Sequence, residues 1–109
     1  MKEKKSYLGE FEELVLLAIL KLGKDAYGVK IRQLIEEVGD RHTSIGAIYT
    51  TLERLEEKGF ISSWQGEATA ERGGRAKKYF KVDGAGNDAL RETHRVRGNL
   101  LSGLDISWA

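Results

Sequence analysis

The chain is 109 residues long and 40% apolar, carries 18 Lys+Arg against 17 Asp+Glu, and contains neither Cys nor Pro. That length fits one small domain, and the lack of Cys excludes a disulfide framework, thiolate metal centres and thiol chemistry, leaving His42 and His94 as the only imidazoles. The longest apolar run, residues 14 to 20, falls far short of the roughly 20 residues a bilayer span needs, so the expectation is a soluble, cytoplasmic protein with no membrane partner.

Residues 7 to 22 place Leu8, Phe11, Leu14, Val15, Ile19 and Leu22 at helical spacing, with Glu10, Glu12 and Glu13 early and Lys21 late, as the helix dipole favours. Leu16, Leu17 and Leu20 make this first helix apolar on more than one side, which predicts a second surface covering them, such as a partner chain. After the break at Gly23, the residues Tyr27, Ile31, Leu34, Ile35 and Val38 predict a second helix ended by Gly39, with Tyr27 on its apolar stripe. Ser44 is a favourable N-cap for a third helix, whose stripe is Ile45, Ile48, Leu52 and Leu55 and whose end is marked by Gly59.

The opposite surface of that helix carries Gly46, Ala47, Thr50 and Thr51, flanked by Tyr49, with Arg54 and Lys58 further on. Small and hydroxyl side chains admit close approach to another surface, and the two cations suit phosphates. Glu53, Glu56 and Glu57 oppose a polyanion, so only the first two turns are expected to go deep.

Residues 60 to 64 and 77 to 82 are aromatic and β-branched runs joined by a glycine-containing connection, a pattern that predicts a β-hairpin with Phe80 and Val82 inward and Tyr79 and Lys81 outward. Residues 72 to 81 hold Arg72, Arg75, Lys77, Lys78 and Lys81 without an acid, so a chain of nearly zero net charge carries one basic strip. Asp83 precedes a fourth helix, from about residue 85 to about 103, whose stripe of Ala89 or Leu90, Thr93, Val96, Leu100 and Leu104 runs close to a heptad step. A narrow stripe at the end of a chain is buried economically against its own copy.

The order of three helices, a basic hairpin and a last helix matches a winged helix-turn-helix. The segments Leu14-Val-Leu-Leu-Ala-Ile-Leu20, Asp25-Ala-Tyr-Gly-Val-Lys-Ile31, Ile45-Gly-Ala-Ile-Tyr-Thr-Thr-Leu-Glu-Arg-Leu-Glu-Glu-Lys-Gly59 and Arg72-Gly-Gly-Arg-Ala-Lys-Lys-Tyr-Phe80 resemble the PadR-like transcriptional regulators over roughly residues 8 to 90. The resemblance implies a mostly α fold with a small β-hairpin, a winged helix-turn-helix over residues 1–83 plus a C-terminal dimerisation helix over 84–109, forming one compact domain.

It also implies a homodimeric bacterial repressor that binds double-stranded DNA, with a small-molecule effector as a further partner; the residues themselves give no reason to expect a cofactor or metal. Carried over by position, Ser44, Gly46 and Ala47 form the leading edge of the third helix, Tyr49 stands at the DNA boundary, and Arg72 and Arg75 belong to the wing. Phosphate positioning would then fall to Tyr49, Arg54, Arg72, Arg75, Lys77 and Lys78, and base reading to Gly46, Ala47, Thr50 and Thr51. The dimer would bury Leu16, Leu17, Leu20, Leu90, Val96, Leu100 and Leu104. Where family members often have Pro after the helix tyrosine, this chain has Thr50, and its only late Trp is Trp108.

Two other classes compete with this reading. A winged-helix module that binds protein rather than DNA fits the acidic body of the chain. An enzyme does not, because no Ser or carboxylate stands at a spacing that recruits His42 or His94 as a base.

Overall fold

The computed structural model describes residues 7–66 and 77–105. Helix α1 (Glu10–Leu22) leads through a single 3-10 turn (Gly23–Asp25) to α2 (Gly28–Val38) and α3 (Ile45–Glu57). Strands β1 (Ile61–Gln65) and β2 (Lys78–Val82) form an antiparallel pair, and α4 (Gly84–Leu101) follows.

Helix α1 begins where Glu12 reaches back to accept from the Gly9 amide at 2.8 Å, satisfying a backbone donor that the helix leaves free. It ends at Gly23, whose φ of +60° favours a residue without a β-carbon. Ser44 caps α3 as expected, its Oγ accepting from the Ala47 amide at 3.0 Å. Beyond α3 the chain reverses at Gly59 (φ +79°), and the Phe60 amide donates to the Leu55 carbonyl.

Tyr27 departs from the expected stripe of α2. It stands in extended conformation immediately before that helix, forms an isolated β-bridge with Tyr79, and leaves Ala26, fully buried, to accept from the Phe80 amide at 2.9 Å. The start of α2 is thereby stitched to the hairpin.

The hairpin register pairs Ile61 with Val82, Ser63 with Phe80 and Trp64 with Tyr79. Phe80 is buried, Val82 is half-buried and Lys81 is exposed, as the alternation predicts, whereas Tyr79, expected outward with Lys81, is half-buried against Tyr27 and Trp64. The core joins Val15, Leu16, Ile19, Ile31, Ile35, Ile48, Leu52, Leu55, Ile61 and Phe80, contributed by the first three helices and both strands.

At the start of α4, Gly86 lies so close to the Phe60 carbonyl and the Val82 side chain that any β-carbon there would collide with them. Asp83 precedes the helix without capping it through its side chain, which instead accepts from the Ser62 hydroxyl. Ala89 and Leu90 pack on the core, whereas every residue from 94 to 105 is exposed. Arg97 returns to α1 through a 2.9 Å ion pair with Glu13. This projecting helix is consistent with a radius of gyration of 16.1 Å, against about 13 Å for a compact domain of 100 residues.

Candidate nucleic-acid interface

Three of the four stripe residues of α3, Ile48, Leu52 and Leu55, are buried, which turns the opposite side of the helix outward. Ser44, Gly46, Ala47, Thr50 and Arg54 are all exposed there, so the amino-terminal half of α3 presents a surface of small side chains. Thr51 does not belong to it. Three residues after Ile48 and four before Leu55, it shares their side of the helix and is 4% exposed, which corrects its expected role as a base reader. Ile45, expected in the core, is turned partly outward instead.

Tyr49 is 42% exposed, and its ring lies directly over the α-carbon of Gly28, where any β-carbon would strike the Tyr49 hydroxyl and ring. The neighbouring Tyr27 meets Tyr79 edge-on, with ring centres 5.5 Å apart, and Tyr79 stacks on Trp64 at 5.8 Å. Aromatic contacts therefore run from the start of α2 to both strands of the hairpin. Lys77 holds its ammonium 5.1 Å above the Tyr27 ring, in the geometry of a cation–π contact, and Lys78 lies 5.8 Å from the Phe80 ring.

Charge separates the surface cations into two groups. Arg32, Arg41, Arg91, Arg95 and Arg97 pair with Glu36, Glu10, Asp88, Glu92 and Glu13 respectively. Arg54, Lys77 and Lys78 have no carboxylate partner among the described residues, which leaves their charge available to a polyanion. Lys58, expected to reach phosphates, belongs with the first group: its Nζ lies 3.0 and 3.1 Å from the two oxygens of Glu12.

Glu12 is 6% exposed. Burial pushes its carboxyl upward, but the Gly9 amide and the Lys58 ammonium, helped by Arg54, outweigh it and hold the group below its usual value. Arg72 and Arg75 lie outside the described residues.

The leucines expected at a dimer face divide. Leu16 is 0% exposed in a single chain and is a core residue, which corrects its assignment to an interface. Leu90 also packs on its own core. Leu17, Leu20, Val96, Leu100 and Leu104 are exposed, Leu100 at 73%. Leu101 is exposed beside them, although the near-heptad stripe read from the sequence passed over it.

The PadR-like transcriptional regulator family model matches residues 16–92, the stretch from the middle of α1 to the middle of α4. The chain belongs to the PadR-like family. A PadR family transcription regulator from hypervirulent Clostridium difficile R20291 is 26% identical, with a TM-score of 0.63 over 85% of this chain and 95% of that one. A PadR-like transcription factor from Bacteroides fragilis is also 26% identical, with a TM-score of 0.65 over 83% of this chain and 82% of that one.

The archaeal RosR of H. salinarum shares the fold at 18% identity, with a TM-score of 0.62 over 89% of this chain and 80% of that one. No curated protein matches the chain. The winged-helix fold and the role of a DNA-binding transcriptional regulator follow from the family, and no helix among the described residues is long and apolar enough to cross a membrane.

Proposed function

We propose that the protein is a homodimeric repressor that inserts the amino-terminal half of α3 into the major groove of double-stranded DNA. The observation that carries this reading is the surface of α3: Gly46, Ala47 and Thr50 are exposed and small, with unpaired Arg54 one turn beyond. Side chains of that size let a helix backbone approach base edges, and Thr50 brings a hydroxyl and a methyl to them.

Phosphates are held by Ser44, Tyr49, Arg54, Lys77 and Lys78 and, in the wing, by Arg72 and Arg75. Residues 1–83 form the DNA-binding part and residues 84–109 the dimerisation helix. Supporting the dimer are Leu17 and Leu20 on α1 and Val96, Leu100, Leu101 and Leu104 on α4, apolar side chains that the single chain leaves in water.

Two α3 helices related by a twofold axis then face half-sites about 10 bp apart, or a multiple of that. Occupancy of a promoter represses it, and an effector relieves repression to the extent that it binds better to a dimer geometry unable to engage DNA. Fragments of genomic DNA recovered on the protein, then titrated at several salt concentrations, test this reading. The expected result is a palindromic site with a linear fall of log affinity against log salt; equal affinity for every duplex removes the base-reading role of α3.

A further inference from the structure

The link between α2 and α3 gathers on a single carboxylate oxygen. Glu36 Oε2, near the end of α2, lies 3.1 Å from His42 Nδ1 and 3.4 Å from Arg32 Nη1, and accepts from the Thr43 amide at 3.4 Å. Two residues beyond His42 stands Ser44, the N-cap of α3. The His42 side chain is nonetheless 92% exposed, so Glu36 holds one edge of the ring while the rest faces water.

A carboxylate only accepts hydrogen bonds, so the Nδ1 that meets Glu36 carries a proton. In the neutral imidazole this fixes the tautomer, and Nε2 then presents a bare lone pair, which repels a phosphate oxygen. A second proton turns the same atom into a charged donor. The ring keeps one orientation in both forms and changes only what its outer nitrogen offers.

The other charges around the link leave that nitrogen free. On α2, Arg32 shares the Glu36 oxygen, and Glu37 lies about 100° further around the helix. In the link, Arg41 turns to α1, where it pairs with Glu10 at 2.9 Å and lies over the Phe11 ring, and Asp40 is exposed without a cation partner among the described residues. The first turn of α3, residues 45 to 48, carries no ionisable side chain.

We propose that His42 donates from Nε2 to a DNA phosphate at the rim of the groove that α3 enters, so that the protein binds DNA more tightly when this imidazole is doubly protonated. The proposal rests on the proposed function. A helix that enters the major groove by its first two turns leaves the residues just before its N-cap beside the sugar–phosphate backbone. Phosphate favours the charged ring, so the complex holds a proton that the free protein gives up more readily. Affinity therefore rises as the pH falls through the interval, about 5 to 8, in which imidazoles change charge.

Fluorescence anisotropy of the full chain on a duplex recovered from genomic DNA, in salt series at pH 6 and pH 8, tests this. The unaltered protein should bind about fivefold more tightly at pH 6. Its slope of log affinity against log salt should be steeper there by up to about 0.9, the share of one phosphate contact. In His42→Gln both differences should vanish, with affinity close to that of the unaltered chain at pH 8. His42→Arg, charged throughout, should keep the tight affinity and the steep slope at pH 8. His94→Gln, altered at the exposed imidazole of α4, should behave as the unaltered chain.

A pH dependence that His42→Gln retains, or a His42→Arg protein no tighter than the unaltered chain at pH 8, overturns the role of His42 and leaves the DNA reading standing. A salt slope equal at both pH values in the unaltered chain does the same. An equal loss in His42→Gln at pH 6 and pH 8 would make the ring a structural part of the link and also defeat the proposal. Failure to bind any duplex at either pH refutes the DNA reading and the His42 contact together.

Discussion

The ring of Tyr49 in α3 rests on the bare α-carbon of Gly28 at the first position of α2, so the angle between these helices depends on the absence of one methyl group. The two helices that form the helix-turn-helix are thereby set against each other at the end that faces outward.

Gly28→Ala would stabilise an unobstructed helix by up to about 1 kcal/mol. Here the added β-carbon meets the Tyr49 hydroxyl and ring, and overpacking of that kind costs about 1–3 kcal/mol. Urea denaturation should show the variant to be less stable, with weakened DNA binding as α3 shifts. Adding Tyr49→Ala should recover most of the stability lost to Gly28→Ala, a coupling that a double-mutant cycle measures. Additive losses would mean that the ring and the glycine do not constrain each other.

The sequence carried most of the fold because its elements are local. Ser44 caps α3 through its own amide neighbours, and the alternation in β2 sorts Phe80 from Lys81 without reference to the rest of the chain. What stayed illegible depends on contacts distant in sequence. Thr51 is core because the helix phase is centred on Ile48 and Leu55, and a threonine reads as polar until that phase is known. Leu16 was one leucine in an apolar run with no mark of which side faces inward.

Lys58 finds Glu12 across 46 positions, and Tyr27 leaves the stripe of α2 to bridge Tyr79, pairings that no periodicity encodes. The glycine after Tyr27 was the one available signal, since only a close approach to the backbone demands that residue there.

Thr50 and Thr51 are adjacent and should behave differently. Thr50→Ala removes an exposed hydroxyl and should cost about 0.5–1.5 kcal/mol in specific DNA affinity, with little change in stability. Thr51→Val should leave affinity unaltered, and Thr51→Arg, which forces a charge into the core, should unfold the chain. Fluorescence anisotropy and thermal melting separate these outcomes. A Thr51→Val protein that folded normally but lost site preference would return Thr51 to the reading surface.

The wing should act without regard to sequence. Lys77→Ala with Lys78→Ala removes two cations that have no carboxylate partner among the described residues, and each lost phosphate contact should flatten the slope of log affinity against log salt by about 0.9. Arg72→Ala with Arg75→Ala should act in the same direction. A salt series on matched specific and random duplexes reads this, and an unchanged slope in both double variants places the wing away from DNA.

Leu100 is 73% exposed at the projecting end of α4, where every described residue from 94 to 105 is exposed, so Leu100→Asp should fold as the unaltered protein does. In the proposed dimer the same substitution buries an unpaired carboxylate, which costs several kcal/mol, and sedimentation should show monomers at concentrations where the unaltered chain is dimeric. Affinity for a palindromic site should fall with it, because one α3 then works alone. Undiminished dimerisation would assign the interface to another face.

The Glu12–Lys58 pair ties the start of α1 to the end of α3 at 3.0 Å and should leave a signature in acid. The folded state holds the Glu12 carboxyl below its ordinary value, because the Gly9 amide and the Lys58 ammonium outweigh its burial. A carboxyl depressed in this way binds its proton more readily in the unfolded chain. Its contribution is therefore complete above the unfolded value of about 4.3 and fades as the pH falls through the folded one. Glu12→Gln keeps the shape and discards the charge, so it should cost about 1–3 kcal/mol at pH 7 in urea denaturation. The gap between the two proteins should then narrow between pH 5 and pH 3, and a gap constant across that interval would mean that the ion pair contributes nothing to folding.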